Sequence, residues 1–298
     1  MDKDIIFQGD CLTSLKTLPD NSINCCITSP PYYGLRDYGV DGQIGLEATP
    51  ELFIDNLVNI FREVKRVLKD DGTLWVNIGD SYYGGGIRGT DYNPTDDLKS
   101  KDLIGIPWML AFALRADGWY LRQDIIWHKP NPMPESVKDR CTKSHEYIFL
   151  LSKQSHYYFD YKSIQEEALT GETIRDKNAE GYNPNYPNGA RFSKGEHVYG
   201  KDGKRNKRDV WSVSVKPNKE AHFATFPEEL VTPMILSGCP KDGIVLDPFM
   251  GSGTVGAVAK KLYRNYVGCE LNPEYVKMAE NRIGVVTTKV NSRLFDLM

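Results

Sequence analysis

The feature that most constrains this chain is a strand, a glycine-rich turn and a helix start that come late in the sequence. The apolar run Ile244-Val245-Leu246-Asp247 leads into Pro248-Phe249-Met250-Gly251-Ser252-Gly253-Thr254. The glycines at 251, 253 and 256 satisfy G-x-G-x-x-G, a pattern with which α/β sheets hold nucleotides. Only one further predicted strand, residues 266–271, fits before Met298. The sheet must therefore be completed by strands from the N-terminal part of the chain.

Hydrophobic periodicity predicts strands that alternate with helices elsewhere. The predicted strands are 4–7, 23–27, 73–78, 124–127, 147–151, 243–247 and 266–271, and the predicted helices are 51–68, 106–116, 227–236, one starting near 254, and 273 to about 283. Asp70-Asp71-Gly72 should end the helix that covers 51–68. This alternation predicts an α/β fold with a mainly parallel sheet and helices on both faces.

Composition bounds the class of protein. The chain has 298 residues, 40% of them apolar and 26% charged, as in an ordinary globular protein. No run approaches the roughly 18 apolar residues of a membrane helix, and the start lacks a signal peptide, so we expect a soluble, cytoplasmic protein. The six cysteines show no metal-ligand spacing, and we expect reduced, mostly buried thiols, no metal and no disulfide.

The net charge of −3, from 37 basic and 40 acidic residues, seems at first to exclude a nucleic-acid partner. Residues 155–220, however, interrupt the α/β pattern with a segment rich in Gly, Asn, Pro, Tyr and Lys. Within residues 175–219 there are eleven basic and five acidic side chains, a local charge of +6, which leaves −9 for the rest of the chain. Aromatic residues including Tyr182 and Trp211 lie among these charges. A solvated charge run is the plain interpretation, and a surface for nucleic-acid phosphates is the functional one.

The glycine-rich turn predicts a site for an adenosine-containing cofactor. Glycines let the backbone approach a ligand, and the following helix start offers free N–H groups. Glu270 stands 19 residues beyond Gly251, where a carboxylate can accept two ribose hydroxyls. Close packing of a helix on a strand is an equally good interpretation of the glycines alone. The turn lacks Gly-Lys-Ser/Thr, which argues against a nucleoside triphosphatase.

A second motif, Thr28-Ser29-Pro30-Pro31-Tyr32-Tyr33, follows a predicted strand at the edge where open α/β sheets bind ligands. The two prolines remove N–H donors, so carbonyls and the Ser29 hydroxyl act as acceptors beside an aromatic ring. This set suits a planar ring that carries an –NH₂ group. A rigid turn with surface tyrosines is the alternative.

Taken together, the motifs resemble the circularly permuted, β-class amino-methyltransferases of DNA. The resemblance covers nearly the whole chain, with the catalytic motif first and the cofactor motif last. It is carried by Gly9-Asp10-Cys11, Thr28-Ser29-Pro30-Pro31-Tyr32, Trp127-His128-Lys129-Pro130-Asn131-Pro132, Ser144-His145-Glu146, residues 222–230, Asp247-Pro248-Phe249-Met250-Gly251-Ser252-Gly253-Thr254 and Glu270-Leu271-Asn272-Pro273. Met250 is a departure, since this family commonly has Ala or Cys there.

The resemblance implies S-adenosyl-L-methionine as cofactor and double-stranded DNA as partner. Phe249 to Thr254 would wrap the methionine part. Glu270 would bind the ribose, Asp10 would bind the adenine, and Phe226 would pack against the adenosine. The full implied cofactor set is Asp10, Cys11, Thr28, Phe226, Asp247, Pro248, Phe249, Gly251, Ser252, Gly253, Thr254, Glu270, Leu271 and Asn272. The implied domains are a catalytic half (1–154), a target-recognition insert (155–220) and a cofactor half (221–298).

The catalytic assignment falls on Ser29, Pro30, Pro31 and Tyr32. The Ser29 side chain and the Pro30 carbonyl would hold the two amine hydrogens of a flipped-out base while Tyr32 stacks on its ring. No covalent enzyme intermediate is needed, so Cys25 and Cys26 are expected in the core. His145 and Glu146 are expected as a buried, hydrogen-bonded pair that supports the pocket. The expected DNA contacts are Lys129, Asn131, Arg191, Lys194, Lys204, Arg205, Lys207 and Arg208.

Several alternatives stay open at this point. In the family that the motifs resemble, a neutral Ser-Pro-Pro-Tyr is usually associated with the N4 nitrogen of cytosine, though some members with serine act on adenine. The resemblance therefore favours cytosine N4, and the N6 nitrogen of adenine is the first rival. An NAD-type oxidoreductase, supported by the glycines and Glu270, and a catalytically dead DNA-binding module are the others. We expect a bacterial or phage-type enzyme. The sequence does not decide whether a cognate restriction endonuclease accompanies it, or whether it is a monomer or a homodimer.

Overall fold

The computed structural model describes residues 2–84, 98–167, 204–215 and 226–295, with only the helical backbone described for 287–295. The chain divides into two compact units. Unit 1 comprises Met1–Asp160 and Asp209–Met298, and unit 2 comprises Tyr161–Arg208. Among the described residues, no helix combines the length and the apolar character needed to cross a membrane.

Unit 1 is built from alternating strands and helices. Its elements are β1 (Ile5–Gln8), α1 (Cys11–Lys16), β2 (Ile23–Thr28), α2 (Pro50–Val67), β3 (Leu68–Ile78), α3 (Ile106–Ala116), β4 (Tyr120–His128), β5 (His145–Ser152), β8 (Val210–Ser212), α4 (Glu228–Gly238), β9 (Ile244–Asp247), α5 (Thr254–Lys261), β10 (Asn265–Glu270) and α6 (Pro273–Phe295). Unit 2 holds a 3₁₀ turn at Tyr161–Ile164 and a short antiparallel pair, β6 (Glu166–Glu167) with β7 (Lys204–Arg205).

The eight strands of unit 1 form one sheet in the order β1-β10-β9-β2-β3-β5-β4-β8. All neighbouring strands run parallel except β5, which is antiparallel to both β3 and β4. The late strands β9 and β10 lie between the N-terminal strands β1 and β2. The mainly parallel α/β sheet, and its completion by N-terminal strands, are thereby confirmed.

Side-chain alternation along the strands produces a core on each face of the sheet. On β2, Cys26 belongs to the core that packs under α1, α2 and α3, whereas Cys25 and Ile27 belong to the core under α4, α5 and α6. Parallel strands buried on both faces require such helix layers. Helix α2 shows how its sequence sets this up: the Thr49 hydroxyl caps its start, Pro50 opens it, and its apolar face is fully buried.

Helices α1 and α6 and strand β3 differ from the sequence prediction. Helix α1 was missed because it has only six residues and is started by the Asp10 side chain rather than by an apolar period. Strand β3 begins at Leu68. Its pairing with β2 is irregular at the start, because Ile23 of β2 pairs with Leu68 and Cys25 pairs with Thr73, which leaves residues 69–72 in a bulge. Helix α2 already ends at Val67, with Leu68 as its extended C-cap, so residues 70–72 lie in the bulged start of β3 and not at the helix end. Helix α6 continues past residue 283 to Phe295, because local propensity is a weak guide to helix ends.

Residues 155–220 were expected to hold neither strand nor helix, yet Val210–Ser212 form β8 at the edge of the main sheet. Trp211, expected among the aromatic residues of a recognition surface, is only 5% exposed and packs on Trp75 with ring centroids 6.5 Å apart. That expectation was wrong for Trp211. A three-residue strand carries too few positions to show a period.

Candidate active site

A cavity of about 890 Å³ opens at the edge of the sheet where the parallel strands β1, β2, β9 and β10 end. Ser29 to Tyr32 follow β2 and form one wall. Asp247 to Ser252 follow β9, and Glu270 to Asn272 follow β10, and these form the opposite wall. The two motifs found by sequence, more than 200 residues apart along the chain, thus face the same space.

The Glu270 carboxylate anchors the glycine-rich turn. Its Oε2 accepts the Gly251 N–H at 2.7 Å, and its Oε1 accepts the Asn272 N–H at 2.8 Å. Each oxygen keeps a lone pair that can accept a further hydrogen bond from a ligand. Burial raises the pKa of Glu270 above its ordinary value, and these backbone N–H groups oppose the rise.

The glycines of the turn divide between two roles. Gly251 has φ +51°, and a Cβ added there would meet nothing closer than the Phe249 carbonyl oxygen at 4.0 Å, so its bare backbone faces open cavity. Gly253 has φ +80°, and a Cβ there would lie 2.7 Å from Cα of Ala279 in α6. Gly253 thus permits close helix packing, as the packing interpretation of the motif predicted, whereas Gly251 leaves room in the cavity for a ligand.

Asp247 links the two walls. Its Oδ1 accepts the Thr28 hydroxyl at 2.7 Å and the Phe249 N–H at 3.1 Å. Burial raises the pKa of Asp247 to about 7, with the Thr28 hydrogen bond acting in the other direction. Thr28 itself is fully buried, so its contribution to the predicted cofactor site runs through Asp247.

The remaining predicted cofactor residues flank this turn. Asp10 and Phe226 line the cavity, but the Asp10 Oδ1 also accepts the Thr13 N–H at 2.8 Å as the N-cap of α1. Cys11 lines the cavity from the first turn of α1, and burial raises its pKa to about 12, so the thiol is protonated. The predicted set Pro248, Phe249, Ser252, Thr254, Leu271 and Asn272 also lines the cavity.

Tyr32 is held firmly in the wall that follows β2. Its ring lies against Gly79, where an added Cβ would come within 2.6 Å of Cε2. Its hydroxyl donates to Glu146 Oε2 at 2.5 Å. Burial and the charge of Glu146 raise the pKa of Tyr32 well above its ordinary value, so the phenol stays neutral.

Asn77, at the end of β3, is a site residue that the sequence prediction missed. Its Oδ1 lies 3.3 Å from both the Ser29 Oγ and the Tyr32 Oη, and its Nδ2 donates to Glu146 Oε2 and to the Tyr147 carbonyl, each at 3.1 Å. The available signal was one amide inside the apolar run Leu74-Trp75-Val76-Asn77-Ile78. A buried polar group in such a run needs partners.

The expected pair of His145 and Glu146 is only half right. Glu146 supports the pocket by bonding Tyr32 and Asn77 and by an ion pair with Lys129. His145 instead stands edge-on to the Tyr147 ring, with centroids 5.4 Å apart. Both side chains line the cavity.

The predicted DNA contacts fall into three groups. Lys129 lines the cavity, is ion-paired with Glu146 and lies 4.3 Å from the Trp127 ring centroid. Asn131 also lines it, but its amide exchanges two hydrogen bonds with the backbone of Val215, at 2.9 Å each. In unit 2, Arg205 and Arg208 both pair with Glu166. Lys204 and Lys207 belong to unit 2 as well, whereas Arg191 and Lys194 lie outside the described residues.

Comparison with known proteins decides the family. Residues 23–281 match the family of N6/N4 DNA methylases, a span that includes both walls of the cavity. The chain belongs to this family. Within the part that the structure describes, no group of three or more His, Cys, Asp or Glu side chains is placed to hold a metal ion.

This DNA methylase has close relatives among type II methyltransferases. It is 51% identical to M.Cfr9I of Citrobacter freundii, over 96% of this chain and 89% of that one. It is 47% identical to M.SmaI of Serratia marcescens, over 93% of this chain and 90% of that one. The protein is accordingly a type II DNA methyltransferase.

Solved structures share the fold of this methylase. The PvuII DNA methyltransferase (cytosine-N4-specific) superposes with a TM-score of 0.67 at 19% identity, over 97% of this chain and 93% of that one. TTHA0409 of Thermus thermophilus, complexed with S-adenosyl-L-methionine, superposes with a TM-score of 0.59 at 24% identity, over 95% of each chain.

Proposed function

We propose that this methyltransferase transfers a methyl group from S-adenosyl-L-methionine to the N4 nitrogen of a cytosine flipped out of double-stranded DNA, within a short recognition sequence. The observation that carries the proposal is the shared cavity onto which Ser29 to Tyr32, Gly251 and Glu270 all open. An acceptor set for an aromatic amine and a site for a nucleoside cofactor therefore lie in one space.

The cavity fits the cofactor in both chemistry and shape. Gly251 leaves open space where any other residue would place a Cβ, and Glu270 keeps acceptor capacity for the ribose hydroxyls. Phe249 and Phe226 supply apolar wall for an adenosine ring. When bound, S-adenosyl-L-methionine supplies an electrophilic methyl group on a sulfonium sulfur. The structure of TTHA0409 with this cofactor is consistent with the assignment.

The chain's own residues would prepare the amine. The lone pair of an exocyclic amine is delocalised into the aromatic ring, so the nitrogen is a weak nucleophile. Acceptors at the Ser29 hydroxyl and the Pro30 carbonyl would hold its two hydrogens, draw the nitrogen toward a tetrahedral shape and stabilise the positive charge that develops. The neutral Tyr32 ring would stack on the base and fix its plane.

Cytosine is the preferred base because Ser29 makes the motif neutral. The PvuII enzyme, which shares the fold, is cytosine-N4-specific. Adenine N6 is the alternative within the same family and uses the same mechanism.

The strand order also supports a circularly permuted, β-class arrangement. The cofactor strands β9 and β10 come last in sequence but lie between β1 and β2 in the sheet. We divide the chain into a catalytic half (1–154), a target-recognition insert (155–220) and a cofactor half (221–298). The insert would carry the phosphate contacts, because residues 175–219 within it hold eleven basic and five acidic side chains. Lys129 would act beside the base, and the enzyme would work in the cytoplasm.

Substitution of the catalytic motif tests this assignment. Ser29→Ala and Tyr32→Ala should each lower methyl transfer to DNA on the order of 100-fold or more, since each removes a group that acts on the reacting base. Transfer of labelled methyl from S-adenosyl-L-methionine to DNA is the assay. Binding of DNA and of the cofactor, measured separately, should remain.

Ser22→Ala is the matched control. Ser22 directly precedes β2, at the other end from Ser29, and its hydroxyl donates to the Pro19 carbonyl. Unchanged turnover in Ser29→Ala would refute the assignment of Ser29 to a pocket for the target base. Calorimetry that shows binding of NAD but not of S-adenosyl-L-methionine would revive the oxidoreductase.

A further inference from the structure

Asn77 has one possible amide orientation. Its side chain is buried at the end of β3, with 2% exposure, and its Nδ2 lies 3.1 Å from both Glu146 Oε2 and the Tyr147 carbonyl oxygen. A carbonyl and a carboxylate can only accept hydrogen bonds, so the –NH₂ group must face them. The Oδ1 of Asn77 must then face Ser29 and Tyr32.

The Tyr32 hydroxyl has a single proton and two acceptors within reach. Glu146 Oε2 lies at 2.5 Å and Asn77 Oδ1 at 3.3 Å. A hydrogen bond to a charged acceptor is shorter and stronger than one to a neutral amide, so the Tyr32 hydroxyl donates to Glu146 and not to Asn77. The Asn77 Oδ1 is thereby left to accept the Ser29 hydroxyl, whose Oγ lies at 3.3 Å, and the Tyr32 oxygen is a second acceptor within reach of Ser29.

Glu146, the acceptor for both Tyr32 and Asn77, is itself held by an ion pair. Its Oε1 pairs with Lys129, and the two side chains are 11% and 19% exposed, respectively. Breaking an ion pair with this little exposure is costly, because the partner left behind would be a poorly solvated charge. Three elements therefore contribute to one chain of hydrogen bonds: β5 supplies Glu146, β3 supplies Asn77, and the turn after β2 supplies Ser29.

We propose that Asn77 and Glu146 are positioning residues that commit the Ser29 proton away from the substrate. The Ser29 lone pairs then point into the cavity, where an aromatic amine needs an acceptor for its hydrogen. A serine free to rotate would present its own proton to that amine for part of the time. The inference rests on the proposed function, because it assigns Ser29 the amine of a nucleobase.

The variant Asn77→Asp tests the proposal through pH. A protonated aspartic acid can donate to Glu146 and accept from Ser29, as Asn77 does. An ionised one cannot donate to Glu146, and repulsion between the two carboxylates would move its oxygens away from Ser29. The titratable groups near position 77 are Tyr32 and Glu146, with Lys129 and Lys143 in electrostatic reach of Glu146. We expect kcat of Asn77→Asp to approach the wild-type value near about pH 6 and to fall on the order of 10- to 100-fold by about pH 8.

Asn77→Leu is the second variant, since leucine fills the space but accepts nothing. It should lower kcat on the order of 10- to 100-fold at every pH, with KM for S-adenosyl-L-methionine unchanged. In a Ser29→Ala background it should lower single-turnover transfer no further, because Asn77 acts through Ser29. Asn59→Asp, on the exposed face of α2, is the matched control for an added carboxylate, since the Asn59 Oδ1 accepts from Arg62.

Three results overturn the proposal while leaving the proposed function intact: an Asn77→Asp loss that does not change with pH, no loss at all, or an Asn77→Leu loss that adds fully to that of Ser29→Ala. The first and third results would show that Asn77 has only a structural role. Absence of methyl transfer by the wild-type enzyme would instead refute the proposed function itself.

Discussion

Asp247 shows how one carboxyl group can couple the site to stability. It is buried, it joins β2 to β9 through Thr28, and its pKa of about 7 lies far above the ordinary 3.8. Between these two values the folded protein holds a proton that the unfolded chain has released. The stabilisation is therefore complete below about pH 4 and is lost as the pH rises toward about 7.

Asp247→Asn should flatten this dependence. The free energy of unfolding of the wild type should decline by at most about 1.4 kcal/mol per pH unit from this group between about pH 4 and 7. The amide can keep the Thr28 and Phe249 hydrogen bonds without titrating. Urea unfolding at several pH values, with the exposed Asp71→Asn as control, measures the difference in slope. Equal slopes for wild type and Asp247→Asn would contradict the buried pKa.

Single residues were predictable from the sequence where they stand beside a break in a pattern. Ser29 follows a strand and precedes two prolines, and Glu270 ends the last strand, so both could be assigned a place at the sheet edge. Asn77 could not, because its partners come from β5 and from the turn after β2. Only the antiparallel register of β3 with β5, which sets Asn77 opposite Ile148, brings Glu146 and Tyr147 within its reach.

At the scale of elements, the turn after β9 and strand β10 fit together through Met250 and Gly268. Met250 is 3% exposed, and a Cβ added to Gly268 would collide with its Cγ, Sδ and Cε atoms. The bulky residue at 250, a departure from the family pattern, is accommodated by the absent side chain at 268. The two positions therefore form one packing unit between adjacent parallel strands.

Gly268→Ala should destabilise the protein by about 1 to 3 kcal/mol, because the buried Met250 side chain would have to move away from the new Cβ. Met250→Ala alone should also cost stability, by leaving a cavity. The double variant should lose less than the sum of the two, with a coupling on the order of 1 kcal/mol or more. Denaturant unfolding of all four proteins completes the cycle.

Gly284→Ala in α6 is the matched control, since a Cβ there meets nothing within 4 Å. It should leave stability unchanged or raise it slightly, as alanine favours a helix. Simple additivity at positions 250 and 268 would contradict the shared packing.

Elements with a clear period were predictable, and short or edge elements were not. Helix α2 and strands β2, β5 and β9 follow from apolar spacing. Helix α1 depends on one capping aspartate, Asp10. Strand β8 depends on its pairing with β4, in which Trp127 lies opposite Trp211, 84 positions later in the chain. Tertiary pairing of this kind leaves no local signal in three residues.

For the whole molecule, the order of the motifs was the most informative property of the sequence. A cofactor turn with one strand after it required N-terminal strands to complete the sheet, and β1 and β2 do so on either side of β10 and β9. The net charge of −3 had suggested no nucleic acid, but it hides +6 within residues 175–219. The prediction of a DNA-binding segment therefore rests on the distribution of charge along the chain and not on its sum.

The identity of the methylated base tests the central claim most directly. DNA from cells that express the enzyme, digested to nucleosides and analysed by mass spectrometry, should contain N4-methylcytosine, and DNA from cells that express Ser29→Ala should not. Sequencing of the same DNA would place the modified base within one short recurring sequence. N6-methyladenine in place of N4-methylcytosine would contradict the account.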